Sequence, residues 1–384
     1  MSYLLWLLLP IAAASGWLVA QKRNEPRYPH LSPDYFKGLN YLLNEEQDKA
    51  IDVFIKLIDV DSDTVETHLA LGLLFRRRGE VNRAIRIHQN LIARTTLNPQ
   101  QRSQALFELA QDYQSAGLLD RAEDLFQELV VSKTYQVLAL RKLLEIYQQE
   151  QDWEKAIEIA QQLVVVADKP MLMIIAQYYC EQAENYQRQG QYDAACQAVE
   201  NALKVDTNCV RASLIEGELA LLRHHHQQAI LSFQRVEKQD PDYLTEVIVP
   251  LLSCYQSIGH PNEFVRYLRL ILKRYGGITP VLMLAKIIKQ QDGSQKAADF
   301  MVKHLHLHPS VRGIDYLLDL ICTKGAHISR DHLLLLKDII IPLLKNNPAY
   351  KCHHCGFTAR KLHWLCPSCQ QWNTLKPRQG IDGE

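Results

Sequence analysis

The sequence predicts an all-α repeat superhelix, preceded by an apolar N-terminal helix and closed by a small metal-binding knuckle. Three observations predict it: small residues recur with a period near 34 along much of the chain, residues 3 to 20 carry no charge, and four of the nine cysteines fall between Cys352 and Cys369. With 384 residues, 47% of them hydrophobic and 22% charged, the chain is long enough for two or three domains or one long array. Its composition excludes a disordered or collagen-like protein.

The array comes first because an internal repeat fixes the fold before any site is sought. Gly38, Gly72, Ala110, Leu144, Ala183 and Gly217 are spaced 34, 38, 34, 39 and 34 residues apart. Twelve residues after each stands Ala50, Ala84, Ala122, Ala156, Ala195 or Ala229, and four further on Phe54, His88, Phe126, Ala160, Val199 or Phe233. Three of the units add a glycine between these markers, Gly79, Gly117 and Gly190. Two antiparallel helices approach closely only where one presents a small residue and the other inserts a large one. The intervening glycine takes the left-handed C-cap conformation. This is the tetratricopeptide pattern. Its six clear units run to about Pro241, and weaker ones follow around Tyr255, Gly259 and Phe264, then Ala285, Gly293, Ala297 and Met301. The prolines at Pro99 and Pro170 mark inter-repeat loops. The sequence thus divides into an anchor (1–20), a linker (21–31), a repeat array (32–346) and a terminal cysteine domain (347–384). Such an array has a concave groove that docks peptides or protein surfaces.

The N-terminal segment Tyr3 to Ala20 would span about 27 Å as a helix, close to a bilayer's hydrocarbon thickness. Trp6 and Trp17 lie near its ends, and Lys22 and Arg23 follow it with no basic residue before. By the positive-inside rule the long C-terminal portion stays in the cytoplasm. A cleaved signal peptide, suggested by Ala12-Ala13-Ala14, would need its basic residues on the other side.

The end of the chain holds the most specific local motif, Cys352-His353-His354-Cys355 and Cys366-Pro367-Ser368-Cys369. Each C-x-x-C turn presents two sulfurs to one side, and two facing turns supply four thiolates in the tetrahedral set that zinc accepts and mononuclear iron adopts. The expected metal ligands are therefore Cys352, Cys355, Cys366 and Cys369, around one iron or zinc ion. The spacing resembles rubredoxin knuckles. A segment this short cannot build a sufficient core, so the metal supplies much of its folding free energy. Tyr350, Phe357, Trp364 and Trp372 are expected to pack around the metal or against the last helices. Residues 351 to 384 hold five basic and two acidic side chains, which partly neutralise a centre of charge −2. The other five cysteines, Cys180, Cys196, Cys209, Cys254 and Cys322, read as small buried hydrophobes.

Other clusters have plainer readings. In His224-His225-His226 and in His304, His306 and His308, neighbouring imidazoles on a helix point about 100° apart, and no carboxylate or cysteine motif accompanies them. Arg76-Arg77-Arg78 reads as a solvated cap at a helix C-terminus. No phosphate-binding, nucleophile-elbow, metalloprotease or dinucleotide motif occurs, so the chain reads as non-enzymatic. The 43 basic and 43 acidic residues cancel, which speaks against a nucleic-acid binder held by a broad basic face. An electron-carrying iron knuckle would lack a recognisable redox partner domain.

The stretches LLLPIAAASGW, NYLLNEEQDKAID, LGLLFRRRGEVNRAIRIHQ, AGLLDRAEDLF and YKCHHCGFTARKLHWLCPSCQQW together resemble the lipopolysaccharide assembly protein B (LapB, YciM) family of Gram-negative bacteria, over the whole length. The resemblance implies an inner-membrane protein with a cytoplasmic body that works with the FtsH protease to limit the LpxC deacetylase of lipid A synthesis. It also implies a rubredoxin-like domain that binds metal through Cys352, Cys355, Cys366 and Cys369. The alternative it leaves is a scaffold for lipopolysaccharide-assembly enzymes, with the oligomeric state open.

Overall fold

The computed structural model describes residues 33–44, 65–95, 97–167, 171–322 and 347–381, together with isolated positions between and after them. The apolar segment expected to anchor the chain lies outside the described residues, as do Phe54, Pro170 and most of 323–346. Among the described residues no helix is long and apolar enough to cross a membrane. The chain forms two compact units, one reaching to Ile146 and one beginning at Tyr147.

The first unit contains α1 (Pro33–Leu43), α2 (Val65–Arg77), α3 (Val81–Ile92), α4 (Pro99–Ser115), α5 (Leu119–Val131) and the start of α6 (Gln136–Glu150). Among the described residues the helices pair as hairpins, with close crossings at small residues. A Cβ added to Gly72 on α2 would run into the His88 ring on α3, and both positions are buried. Phe126 on α5 is fully buried and meets Phe107 of α4 edge-on at 5.7 Å. Pro99 opens α4 behind an Asn98 cap, whose side chain accepts from the Gln101 amide while Gln101 returns to the Asn98 amide. Two orphan N–H groups are thereby satisfied at the expected boundary.

Arg76 departs from the solvated-cap reading. Its guanidinium donates to Asp112 at 2.7 Å and to Glu108 at 2.6 Å, on the first helix of the following repeat. Asp112 is fully buried and also meets His88 Nδ1 at 2.5 Å. Only Arg77 and Arg78 of the run are exposed.

The second unit continues with α7 (Trp153–Ala167), α8 (Leu172–Arg188), α9 (Tyr192–Val205), α10 (Val210–Leu222), α11 (His226–Gln239), a 3-10 turn at Pro241–Tyr243, α12 (Leu244–Ser257), α13 (Pro261–Ile271), α14 (Ile278–Asp292), α15 (Ser294–Leu307) and α16 (Val311–Cys322). At the α10–α11 crossing a Cβ on Gly217 would overlap the buried Phe233 ring. The weaker later units keep the same logic: Phe264, Ala285, Ala297 and Met301 are all fully buried. Turn glycines Gly79, Gly117 and Gly190 have φ of 83°, 75° and 76°, in the left-handed region the sequence assigns them. Where the fourth and sixth repeats lack glycine, Gln151 and His224 are forced to the same φ of 58°. Cys180, Cys209 and Cys254 are buried as expected, and Cys196 is half-buried.

The unit ends in a three-stranded antiparallel sheet, an addition to the all-α expectation. Its strands are β1 (Tyr350–Cys352), β2 (Thr358–Ala359) and β3 (Leu375–Pro377), in the order β2-β1-β3. Tyr350 pairs with both Ala359 and Pro377, and Cys352 with Leu375.

Candidate metal centre

Two equivalent turns build the site. In the first, the Gly356 amide donates to the Cys352 carbonyl at 3.0 Å; in the second, the Gln370 amide donates to the Cys366 carbonyl at 2.9 Å. The chain then turns back through a left-handed residue, Gly356 at φ 79° and Gln370 at φ 53°. The amides of Cys352 and Cys366 close each loop on the carbonyls of Phe357 and Gln371. This matched wrapping aims both cysteine pairs at one point.

All four Sγ atoms lie within 4.8 Å of one another, and no histidine joins the cluster among the described residues. The Cys352–Cys369 and Cys355–Cys366 sulfurs are 3.8 and 3.7 Å apart. A tetrahedron with metal–sulfur bonds of about 2.3 Å has edges of about 3.8 Å, so the arrangement fits one ion in a four-thiolate site. His353, His354 and His363 are exposed.

The protein also prepares the thiolates. Burial pushes the Cys352 thiol up, yet Thr374, whose Oγ1 is 3.3 Å from its sulfur, and the backbone amides of Cys355 and His354 outweigh this and bring it down to about 6. Burial and the neighbouring sulfurs hold Cys369 up at about 12. The Cys352 thiolate is thereby favoured, and a cation held by the four sulfurs would take the place of the remaining protons.

The ribbon's aromatics divide their work. Tyr350 and Phe357 pack around Cys352, Cys366 and Leu375. Trp364 and Trp372 instead pack on helices far upstream of the last ones. Trp364 stacks on Tyr243 at 5.3 Å, with the Arg211 guanidinium over its ring at 5.9 Å. Trp372 meets Tyr178 edge-on at 5.9 Å, and Tyr178 stacks in turn on Trp153. Arg211 is held by Glu181 at 2.8 Å and Glu184 at 2.7 Å.

Polar contacts complete the attachment. The Tyr243 hydroxyl lies 2.9 Å from the Leu375 carbonyl and 3.1 Å from Asn373 Oδ1. Tyr350 donates to Glu246 at 2.7 Å. Lys376, expected to offset the metal centre's charge, instead pairs with Asp240 at 2.7 Å and Asp242 at 3.0 Å. The ribbon is thus clamped across the beginnings of α8, α10 and α12, the first helices of three successive repeats. The sequence points to the four cysteines that cluster here but not to this attachment surface, whose one local sign is the acidic Asp240-Pro241-Asp242-Tyr243 turn.

Comparison with known proteins agrees with both parts. Residues 350–377 match the rubredoxin metal binding domain, and residues 67–103 and 180–243 match tetratricopeptide repeats. The lipopolysaccharide assembly protein B of Escherichia coli K12 is 39% identical over 385 residues, covering 99% of each chain. That of Haemophilus influenzae is 36% identical over 394 residues, covering 97% of this chain and 98% of its own. A tetratricopeptide array carrying a four-cysteine ribbon, matched end to end by these relatives, makes the chain a member of the lipopolysaccharide assembly protein B family.

Proposed function

We propose that Cys352, Cys355, Cys366 and Cys369 hold one iron or zinc ion, and that the protein is a non-enzymatic, membrane-anchored adaptor in lipopolysaccharide synthesis. In this reading residues 1–20 tether it to the inner membrane, with the array (32–346) and ribbon (347–384) in the cytoplasm. The array and ribbon dock an FtsH-type protease and an LpxC-type deacetylase and thereby promote the deacetylase's destruction, which limits lipid A. The tether raises the local concentration of the docking surface near a membrane protease.

The observation that carries the reading is the ribbon clamped on the array through Tyr243, Lys376, Trp364 and Trp372. A mobile electron carrier or nucleic-acid ribbon would not need to fix its aromatics against repeat helices. Membership in the family supplies the pathway, and the resemblance supplies the named partners.

Depleting the protein is expected to lengthen the deacetylase half-life and raise lipopolysaccharide. Neither a form lacking residues 1–21 nor a Cys366→Ser, Cys369→Ser form should reverse this. An unchanged half-life on depletion would refute the adaptor role and favour a scaffold for lipopolysaccharide-assembly enzymes. The topology has its own check: a C-terminal alkaline phosphatase fusion should be inactive, and an active one would place the body outside the cytoplasm.

A further inference from the structure

We propose that His304 and His308, at the C-terminal end of α15, form a second metal site, separate from the four cysteines, that takes a borderline divalent cation such as zinc or nickel. Adjacent imidazoles diverge, but these two are four residues apart. His308 caps the helix at φ −133°, its amide still donating to the His304 carbonyl at 2.9 Å, and the two rings meet beside the cap.

The ring geometry matches a shared ion. With metal–nitrogen bonds of 2.0–2.1 Å and each ring centre about 1.1 Å beyond its nitrogen, two imidazoles on one tetrahedral ion have centroids about 5.2 Å apart. The His304 and His308 centroids are 5.3 Å apart. The other close pair, His224 and His226, is at 6.1 Å.

Three further features favour a cation here. His304 Nε2 is buried without a hydrogen-bond partner, so its lone pair or proton is unused. Both rings line a cavity of about 330 Å³ with Ser310, Gln379 and Ile381, leaving room for water or the Gln379 side-chain oxygen to complete the coordination. The site also sits at the negative end of a helix dipole. Burial and the neighbouring His308 lower the His304 pKa, which keeps its imidazole neutral at physiological pH and available to a metal. Phe300 stacks on His304 and fixes the ring.

The far wall of the cavity is the C-terminal tail, pinned where the Val311 amide donates to the Ile381 carbonyl at 3.0 Å. A cation at His304 and His308 would therefore fasten the last turn of α15 beside the tail that leaves the ribbon.

The test uses the full untagged chain in detergent, equilibrated with zinc buffered at low micromolar free concentration, then desalted into the same buffer and assayed for bound zinc and iron. Two metal ions per chain are expected, zinc and iron counted together. His304→Ala and the exposed His308→Ala should each return the count to one, whereas His306→Ala and His225→Ala should leave it at two. Unchanged helical circular dichroism in His308→Ala separates loss of a ligand from loss of fold. One metal ion per chain in the parent protein, or a second ion that survives the His304→Ala, His308→Ala double substitution, would overturn the proposal.

Discussion

Asp112 has no exposed surface, and it answers two donors at once, Arg76 at 2.7 Å and His88 at 2.5 Å. Burial weakens the Arg76 cation, but Glu108 and Asp112 together outweigh it and raise its pKa. Removing the carboxylate would leave the buried His88 imidazole without that partner and the Arg76 guanidinium with Glu108 alone. Asp112→Ala is therefore expected to destabilise the first unit by about 1–3 kcal/mol in urea unfolding, the range for leaving a buried polar group unsatisfied. Asp112→Asn should cost less because it keeps an acceptor. His224 gives the opposite sign. It occupies the turn position that glycine holds in other repeats, at φ 58°, and a side chain there is strained. His224→Gly should stabilise the protein by up to about 1 kcal/mol while His224→Ala does not, as thermal melting can check.

At the scale of the element, the ribbon is expected to depend on a metal and the helices are not. Each helix hairpin buries its own small-large crossing, whereas the ribbon's core is little more than Cys352, Cys366 and Leu375. The Cys366→Ser, Cys369→Ser protein should lose the metal and the ribbon's protection from proteolysis but keep its helical circular dichroism. Tryptophan fluorescence should also shift as Trp364 and Trp372 leave Tyr243 and Tyr178. Acid should act in the same direction. The Cys352 pKa is depressed in the fold, so what its thiolate contributes is present above the unfolded value of about 8.5 and is lost as pH falls through about 6. Lys376 has the other sign. Burial lowers its pKa, but Asp240 and Asp242 outweigh this and raise it, so the lysine's own titration removes the contribution only as pH rises above about 10.4. With an ion bound, protons must compete with it for the thiolates, so release of the ribbon in acid should track metal release. A ribbon that detaches in acid with its metal still bound would contradict this.

What could be read beforehand follows from how local each constraint is. Gly217 and Phe233 lie 16 residues apart in one hairpin, so the steric rule that couples them recurs with the repeat and shows in one sequence. The C-x-x-C pairs are legible for the same reason, since a single turn sets the sulfur spacing. Arg76 was misread because its partners lie in the next repeat, 32 and 36 residues on. The ribbon's seat was invisible because Tyr243 meets Asn373 across 130 residues, with no periodicity to announce it.

For the whole molecule, this seat separates two explanations of why the ribbon is needed. If metal binding alone mattered, an undocked but loaded ribbon would suffice. If the composite surface matters, docking is required in its own right. Tyr243→Phe removes the hydroxyl that reaches Leu375 and Asn373, and Lys376→Glu places a third carboxylate beside Asp240 and Asp242, while none of the four cysteines is touched. Lost hydrogen bonds of this kind are each worth about 1 kcal/mol, and like charges replacing a paired lysine add repulsion. The double variant should keep one metal per chain at the cysteines and its helical content, yet expose the tail after Lys376 to protease. In cells depleted of the parent protein it should restore deacetylase turnover poorly. Full restoration by a ribbon shown to be loaded and undocked would mean that the metal domain acts on its own, and that the surface shared with the repeats is not what the partners recognise.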